Sequence, residues 1–379
     1  MSVYLDCNAT TPVEPAIIRL VQRFMERDYG NAASPIHDFG EFALMAVEHA
    51  RGQIAEVVAS RRDEVIFTSG ATEANNMALL GLAQHGLKTG KRHLISSSIE
   101  HKAVLEPLEE LAKQGFDLQL LPVDAGGRLD PQKLAAALRP DTLLVSTMQV
   151  NNETGISQPL AEISEALQQH EAFWHVDAAQ GFGKEIVPLQ DKRIDLISIS
   201  GHKIYAPKGI GVLIARKRDG SFPPLTPLMF GGGQEQGFRP GTLPVHLIAG
   251  IGEAAKIALR NQAERADYCR QFGQKLRTAL TPLQPVINGD AQHLLPHTIN
   301  ISLPGIPSDK AIKGLKRLIA VSSTSACTSH TRTPSHVLSA MGLPEQIIES
   351  SIRLSWSHLT PEPDWEQVVA VLQTLREEN

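Results

Sequence analysis

Short apolar runs of strand length alternate with amphipathic helical stretches along the first part of this 379-residue chain. The apolar runs fall at about 64–68, 93–97, 117–122, 142–147, 173–177, 194–199 and 210–215. Helical periodicity covers 14–27, 38–59, 103–114, 131–138 and 160–170. Strands that are separated by helices are typical of parallel sheets covered on both faces. We therefore predict an α/β fold with a mostly parallel, seven-stranded sheet.

The rest of the chain has a different pattern. A long amphipathic helix runs from His246 to about Leu280. It is followed by strands near 298–302, 319–323 and 351–355 and helices near 308–316, 334–341 and 362–377. A chain of this length is expected to form two domains. We predict a large domain over 14–250 and a smaller α+β domain formed by 1–13 and 251–379.

Charged side chains follow two of the predicted strands. Lys203 comes after the strand at 194–199 and the polar cluster Ser200-Gly201-His202, and Asp177 ends the strand at 173–177. Alone, such a lysine is usually solvated and such an aspartate often caps a helix. Together they match what pyridoxal 5′-phosphate needs, namely a lysine to bond with its aldehyde and a carboxylate to pair with its ring nitrogen.

A third strand end predicts an anion site. The strand at 64–68 leads through a small-residue turn that includes Ala71 and Thr72 into a helix. A helix N-terminus offers free backbone N–H groups and the positive end of the helix dipole. The hydroxyl of Thr72 would add a donor, and Ser200 and His202 could reach the same phosphate. Ligands of such sheets bind at the carboxyl ends of the strands, where these residues fall.

Seven motifs, taken in order, make the chain resemble the cysteine desulfurases, which are fold-type I pyridoxal-phosphate enzymes of the class-V aminotransferase group. The resemblance runs from Tyr4 to Arg353. The motifs are Ser-Gly-Ala-Thr-Glu-Ala-Asn-Asn (69–76), Glu-His-Lys (100–102), Val-Asn-Asn-Glu-Thr-Gly (150–155), Val-Asp-Ala-Ala-Gln (176–180), Ser-Gly-His-Lys (200–203), Gly-Gly-Gly-Gln-Glu-Gln-Gly-Phe-Arg-Pro-Gly-Thr (231–242) and Ser-Ala-Cys-Thr-Ser (325–329).

The resemblance implies an activity, which is removal of sulfur from L-cysteine to give L-alanine and a persulfide on Cys327. It also implies roles for other residues. His101 is expected to stack on the cofactor ring and handle protons, and Gln180 to hydrogen-bond the ring oxygen. Arg353 and Asn152 are expected to bind the substrate carboxylate. Thr242 is expected to reach the phosphate of a partner subunit, which implies a homodimer.

The residues around Cys327 support a mobile loop. Residues 322–334 contain eight hydroxyl side chains and no bulky apolar one, so this segment cannot bury itself. His330 and Arg332 bring positive charge that favours a thiolate. The alternative is a small residue at the end of a strand. Cys7 and Cys269 are interpreted as filler of the core or the surface.

Composition excludes several classes of protein. The net charge of −5 argues against direct nucleic-acid binding, and no apolar run approaches the roughly 20 residues that span a bilayer. The N-terminus lacks the basic and apolar regions of a signal peptide. Three widely spaced cysteines favour a cytoplasmic protein without a disulfide framework, and no metal-ligand spacing occurs.

The sequence is compatible with several acceptors of the sulfur. The long Cys327 loop is of the kind that hands sulfur to partner proteins. The sequence ends at Asn379 without the tail that housekeeping members use to dock a scaffold, which favours a specialised member. Sulfur supply for DNA phosphorothioation is one candidate, and iron–sulfur cluster assembly or tRNA thiolation are the others. Gln234 and Gln236 stand where relatives often carry His or Arg.

Two other classes stay open at this point. One is another fold-type I enzyme, either a selenocysteine lyase or an aminotransferase, and Cys327 on a polar loop speaks against a plain aminotransferase. The other is a non-catalytic partner protein that keeps the fold. The presence of every residue expected at the cofactor argues against it.

Overall fold

The computed structural model describes residues 2–323, 326–328 and 331–378, and for 326–328 and 331–333 it describes the backbone alone. The strands are β1 (Val3–Tyr4), β2 (Val65–Thr68), β3 (His93–Ser97), β4 (Asp117–Leu121), β5 (Thr142–Met148), β6 (Phe173–Asp177), β7 (Leu196–Ser200), β8 (Gly211–Ala215), β9 (Val286–Ile287), β10 (Thr298–Ser302), β11 (Ile319–Ala320), β12 (Ser322–Ser323), β13 (Ala326–Thr328), β14 (Thr331–Thr333) and β15 (Ser351–Ser355). The helices are α1 (Pro15–Glu26), α2 (Asp38–Val57), α3 (Ala71–Gly81), α4 (Ala83–Thr89), α5 (Lys102–Lys113), α6 (Pro131–Ala137), α7 (Leu160–Leu167), α8 (Val245–Leu280), α9 (Ser308–Leu315), α10 (His336–Ala340), α11 (Glu345–Glu349) and α12 (Trp365–Glu377).

A seven-stranded sheet forms the larger part of the molecule, in the order β2-β8-β7-β6-β5-β3-β4. The pairs among β4, β3, β5, β6 and β7 are parallel, whereas β8 is antiparallel to both β7 and β2. Central strands such as β5 are buried along their whole length, as expected for a sheet covered on both faces. This architecture confirms the predicted α/β class and the mostly parallel, seven-stranded sheet.

A second, four-stranded sheet has the order β12-β15-β10-β9 and is antiparallel. The N-terminal residues join this part of the molecule, because β1 pairs with β11 and Asp6 forms a bridge with Ser355. The strand predicted at 319–323 is interrupted at Val321 and divides between two sheets. In the segment predicted to be a mobile loop, β13 and β14 pair as a short antiparallel hairpin.

Each sheet packs on its own apolar core, and α8 contributes to both. The first half of α8 places Ile248 and Ile251 in the core beside the large sheet, and its second half places Phe272 and Leu276 in the core beside the small one. Gly252 lets α8 approach α2 closely, since a Cβ there would lie 2.5 Å from the Cβ of Ala50. The predicted boundary at residue 250 falls inside this helix, and the division into two domains stays a prediction.

No helix in the described part of the chain is long and apolar enough to cross a membrane.

Candidate active site

A cavity of about 560 Å³ opens at the carboxyl ends of β6 and β7, between the two sheets. Most of the predicted site residues line it, and the structure therefore brings together side chains that are far apart in the sequence. These are Ala71, Thr72, His101, Asn152, Asp177, Gln180, Ser200, His202, Lys203 and Arg353. Within the described residues, no group of three or more His, Cys, Asp or Glu side chains is placed to bind a metal ion.

Lys203 lies in a 3₁₀ turn directly after β7 and points toward the N-terminal segment. Its Nζ donates to the carbonyl oxygen of Ala9 at 2.8 Å and also to that of Asn8. Burial, and then the nearby charges of Lys184 and Arg353, lower the pKa of Lys203 to about 7. With this pKa, about half of the Lys203 side chains are uncharged amines at neutral pH, and the uncharged amine is the form that attacks an aldehyde.

Asp177, the last residue of β6, is buried at 6% exposure and is held from two sides. Its Oδ2 accepts a hydrogen bond from Nδ2 of Asn75 at 2.8 Å, and its Oδ1 accepts from the backbone N–H of Ala179 at 2.9 Å. These contacts fix the carboxylate at the wall of the cavity. A carboxylate held in this way can pair with a protonated ring nitrogen.

His101 caps the N-terminus of α5, where its Nδ1 accepts from the backbone N–H of Ala103 at 3.0 Å. The ring lines the cavity, and desolvation by the surrounding protein lowers its pKa. Asp177 opposes this shift, while Lys203 and His336 add to it. With Nδ1 accepting, a neutral ring carries its proton on Nε2.

The start of α3 has the donor set that a phosphate group needs. Gly70 precedes the helix without any side-chain cap, which leaves the first N–H groups of α3 without a capping side chain, and Gly70, Ala71 and Thr72 line the cavity. The turn is packed tightly, because a Cβ on Gly211 would lie 2.5 Å from Cα of Gly70. The hydroxyls of Thr72 and Ser200 line the same end of the cavity.

Two titratable side chains near this end of the cavity, Glu73 and His202, are in states that do not repel an anion. The Glu73 carboxylate accepts from Nε of Arg239 at 2.8 Å and from the Ser69 N–H at 2.7 Å, so its negative charge is compensated. Burial, and then Lys203 and Lys208, lower the pKa of His202 to about 4, which leaves it neutral. Its Nδ1 lies 3.2 Å from Oγ1 of Thr10. The residues present thus fit pyridoxal 5′-phosphate at its phosphate, its ring nitrogen and its aldehyde.

Arg353 on β15 forms the opposite wall and is 9% exposed. Its Nη2 donates to Oδ1 of Asp6 at 2.7 Å, and its Nη1 donates to the carbonyl oxygen of Asn152 at 2.9 Å. The guanidinium is therefore held in one orientation beside the cavity. Guanidinium groups bind carboxylates through paired hydrogen bonds.

Two predicted site residues, Thr242 and Cys327, are not among the described residues that line the cavity. Thr242 is exposed, at the end of the glycine-rich segment 231–242, and does not line the cavity within one chain. Cys327 lies in β13 opposite Arg332, and its side chain is outside the described residues. In the glycine-rich segment 231–242, the side chain of Gln236 donates to the carbonyl of Asp63 at 2.8 Å, and that of Gln234 accepts from the Gly241 N–H at 2.8 Å.

Sequence reasoning missed four side chains that support the site, namely Asp6, Asn8, Asn75 and Lys184. Asn75 lies inside the motif at 69–76, where its position four residues after Ala71 could have pointed to the same helix face. Asp6 and Asn8 lie in the N-terminal segment, and no periodic pattern connects them with β15 or β7.

Comparison with known proteins agrees with this geometry. The aminotransferase class-V family model matches residues 3–368. The chain belongs to the class-V aminotransferase family. Members of this family depend on pyridoxal 5′-phosphate, so the predicted cofactor is confirmed, as is the predicted fold type.

Similarity to individual proteins indicates which group of the family this chain resembles most. Cysteine desulfurase IscS of Vibrio cholerae serotype O1 (strain M66-2) is 42% identical over 98% of this chain and 92% of its own length. The crystal structure of DndA from Streptomyces lividans is 49% identical, with a TM-score of 0.83 over 92% of this chain and 98% of that one. A structure of SspA in complex with cysteine is 35% identical, with a TM-score of 0.82 over 94% and 99%. The predicted resemblance to cysteine desulfurases is confirmed.

Proposed function

We propose that this chain is a cysteine desulfurase that converts L-cysteine to L-alanine and keeps the sulfur as a persulfide on Cys327. The observation that carries the proposal is the pair of Lys203 and Asp177 on one cavity, with an anion site at the start of α3. The reaction balances without an external oxidant. The carbon–sulfur bond of cysteine breaks, a sulfur–sulfur bond forms at Cys327, and the thiol proton is balanced by the proton that the alanine methyl group gains.

The cavity residues hold pyridoxal 5′-phosphate in this proposal. When bound, the cofactor draws electrons from the α-carbon of the substrate. Ala71, Thr72, Ser200 and His202 would bind the phosphate, and Thr242 of a second subunit would add a hydroxyl. Asp177 would pair with the protonated ring nitrogen, and Gln180 would donate a hydrogen bond to the ring oxygen.

Substrate binding and proton transfer fall to separate side chains. Arg353 binds the substrate carboxylate, and Asn152, whose carbonyl accepts from Arg353, borders the same pocket. Lys203 would accept the α-proton of the substrate at its Nζ, since its lowered pKa of about 7 suits a base at neutral pH. His101 would contact the cofactor ring, and its Nε2 would exchange a proton.

The other two cysteines are poor candidates for the sulfur acceptor, which supports Cys327. Cys7 is 3% exposed and Cys269 is not exposed at all. Burial raises the pKa of both thiols, that of Cys269 to about 12. A thiol in this state is neither ionised nor within reach of a substrate.

Incubation of the purified protein with L-cysteine tests the activity. We expect stoichiometric alanine and a persulfide that mass spectrometry assigns to the peptide with Cys327. Formation of pyruvate or glutamate in place of alanine would contradict the proposal, and preference for selenocysteine would favour a lyase.

For the pathway, we propose sulfur delivery to an acceptor protein for DNA phosphorothioation. The support is the 49% identity with DndA, compared with 42% for IscS. Iron–sulfur cluster assembly is the second candidate because the IscS relative matches 98% of the chain. We expect no direct DNA binding because the net charge is −5. Cysteine labelled with ³⁵S, added with enzyme to a cell extract, would identify the acceptor, and labelling of a general cluster scaffold would favour the second candidate.

We further propose that the protein is a cytoplasmic homodimer. Large apolar side chains on the first two helices, the loop between them and the 228–230 segment are exposed, with Ile36 at 91% and Phe230 at 86%. Exposed apolar surface of this kind typically becomes buried between subunits. Light scattering after size-exclusion chromatography tests the dimer, and fractionation of cells tests the location.

A further inference from the structure

A buried lysine that the proposed reaction does not use lies behind the cavity. Lys184 follows β6 by seven residues and is 7% exposed. In the described part of the chain, no carboxylate lies within ion-pair distance of its Nζ. The ammonium group donates to Oε1 of Gln180 at 3.4 Å, and the thiols of Cys7 and Cys269 are titratable groups near it.

Such a position is unfavourable for a purely structural side chain. An unpaired ammonium in the interior costs several kcal/mol, and an apolar side chain of similar length is often tolerated as well or better in its place. The effect of the charge on its neighbours, and not its packing, therefore distinguishes Lys184 from a methionine or a leucine.

The first effect is on the amide of Gln180. An ammonium group can only donate hydrogen bonds, so the Gln180 oxygen must face Lys184. The NH₂ group is then turned to the cavity side, where Nε2 donates to the carbonyl oxygen of Asn8 at 2.9 Å. The same carbonyl accepts from Lys203. A continuous polar path thus connects Lys184 through Gln180 and Asn8 to Lys203.

The second effect is electrostatic. Besides burial, the charged groups that act on Lys203 are Lys184 and Arg353, which disfavour its ammonium form, and Asp6 and Asp177, which favour it. Lys184 is the stronger of the two cations. Burial lowers the pKa of Lys184 to about 8, so its ammonium form predominates at neutral pH.

The remaining groups near Lys184 do not compensate its charge. Cys7 and Cys269 have raised pKa values and stay neutral thiols. Burial lowers the pKa values of His202 and His297, so both rings are neutral as well. The positive charge of Lys184 therefore acts on the cavity without a counter-ion between them.

We propose that Lys184 is a positioning residue, which orients the Gln180 amide with its NH₂ group toward the cavity and favours the neutral amine of Lys203. The ligand atom that this arrangement suits is a hydrogen-bond acceptor, such as the ring oxygen of pyridoxal 5′-phosphate. The inference rests on the proposed function, because it assumes that this cofactor occupies the cavity.

A pH titration of the holoenzyme tests the electrostatic role. The visible absorbance of bound cofactor is followed against pH in the wild type, in Lys184→Met and in Lys88→Met, which removes an exposed charge on α4. In Lys184→Met we expect the midpoint to move up by about one pH unit, since removal of the positive charge of Lys184 favours the protonated form of the Lys203 nitrogen. Lys88→Met should titrate like the wild type. A wild-type midpoint in Lys184→Met would overturn the electrostatic role.

A double-mutant cycle tests the orienting role. The dissociation constant of pyridoxal 5′-phosphate is measured for Gln180→Leu, Lys184→Met and the double variant. Each single change should weaken binding by about fivefold, the effect of one hydrogen bond, and the double variant should be no weaker than Gln180→Leu. Additive losses would overturn this role. A wild-type protein without cofactor absorbance would refute the proposed function itself, so the two failures are distinct.

Discussion

Asn75 donates a hydrogen bond from its Nδ2 to Oδ2 of Asp177 at 2.8 Å, and both side chains are buried. The contact joins α3, whose first turn forms the anion site, to the end of β6. The groups for the phosphate and for the ring nitrogen of a cofactor are therefore held at a set separation. This relationship makes Asn75 a support for cofactor binding.

Replacement of Asn75 by alanine should weaken pyridoxal 5′-phosphate binding by about 10- to 100-fold, because a buried hydrogen bond to a charged group contributes about 1.5–3 kcal/mol. Equilibrium dialysis with the free cofactor measures the change. Asn76→Ala is the matched control, since within the described residues the side chain of Asn76 donates to the Thr72 carbonyl in its own helix and not to Asp177. Equal affinities for the two variants would refute a role for Asn75.

The variant Lys203→Ala should lose cysteine turnover completely and lack the visible absorbance of a lysine-bonded cofactor. Lys203 lines the same cavity as Asp177. Alanine formation and the absorbance spectrum are the two measurements. Lys192→Ala, at an exposed position, serves as the control. Normal turnover by Lys203→Ala would remove the cofactor assignment.

For Cys327→Ser we expect bound cofactor and normal binding of L-cysteine, but no persulfide and almost no alanine. The thiol takes part only after the substrate has bound. Changing Cys7 or Cys269 to serine should leave turnover within about twofold, provided that the protein stays folded. If Cys7→Ser were the inactive variant, the sulfur would be carried by a different residue.

Capture of pyridoxal 5′-phosphate by cofactor-free enzyme should depend on pH with a midpoint near 7. Folding lowers the pKa of Lys203 from 10.5 to about 7, and the neutral amine is the reactive form. The rate should fall about tenfold per pH unit below the midpoint and level off above it. Stopped-flow absorbance gives the profile. A midpoint near 10, typical of a solvated lysine, would contradict the lowered pKa.

The change Arg353→Lys should raise the KM for L-cysteine by about 10-fold or more and leave the cofactor spectrum unchanged. A lysine keeps the charge but cannot form the paired hydrogen bonds of a guanidinium. Steady-state kinetics separate KM from kcat. Arg317→Lys, an exposed substitution after α9, is the control. An unaltered KM would place the substrate carboxylate elsewhere.

Most strands of the large sheet were predictable because they are buried along their length, so their bounds follow from composition within two residues. The exception is β4, in which only Leu121 is buried. The direction of β8 was not predicted. The 10 residues between β7 and β8 are too few for the crossover that a parallel pair needs. The antiparallel direction of β8 could therefore have been inferred from the sequence. The strand β9, which has two residues, gives no periodic pattern.

Part of the candidate active site was also predictable from the sequence, and part was not. Lys203, Asp177 and Thr72 were visible because each follows an apolar strand and a sheet of this class binds ligands at those ends. The contact of Asp6 with Arg353 spans 347 positions, and neither residue belongs to a pattern that includes the other. Contacts of this kind arise from tertiary packing, and only the folded chain reveals them.

The continuity of α8 has a mechanical consequence. At 1.5 Å per residue, its 36 residues extend over roughly 54 Å, and the same rod is embedded at both ends. A hinge between the two sheets would have to bend this rod and break its ladder of backbone hydrogen bonds. We therefore expect the spacing between Lys203 on one wall and Arg353 on the other to change little. An inhibitor that contacts both walls must therefore fit a distance that is already fixed in the unbound protein.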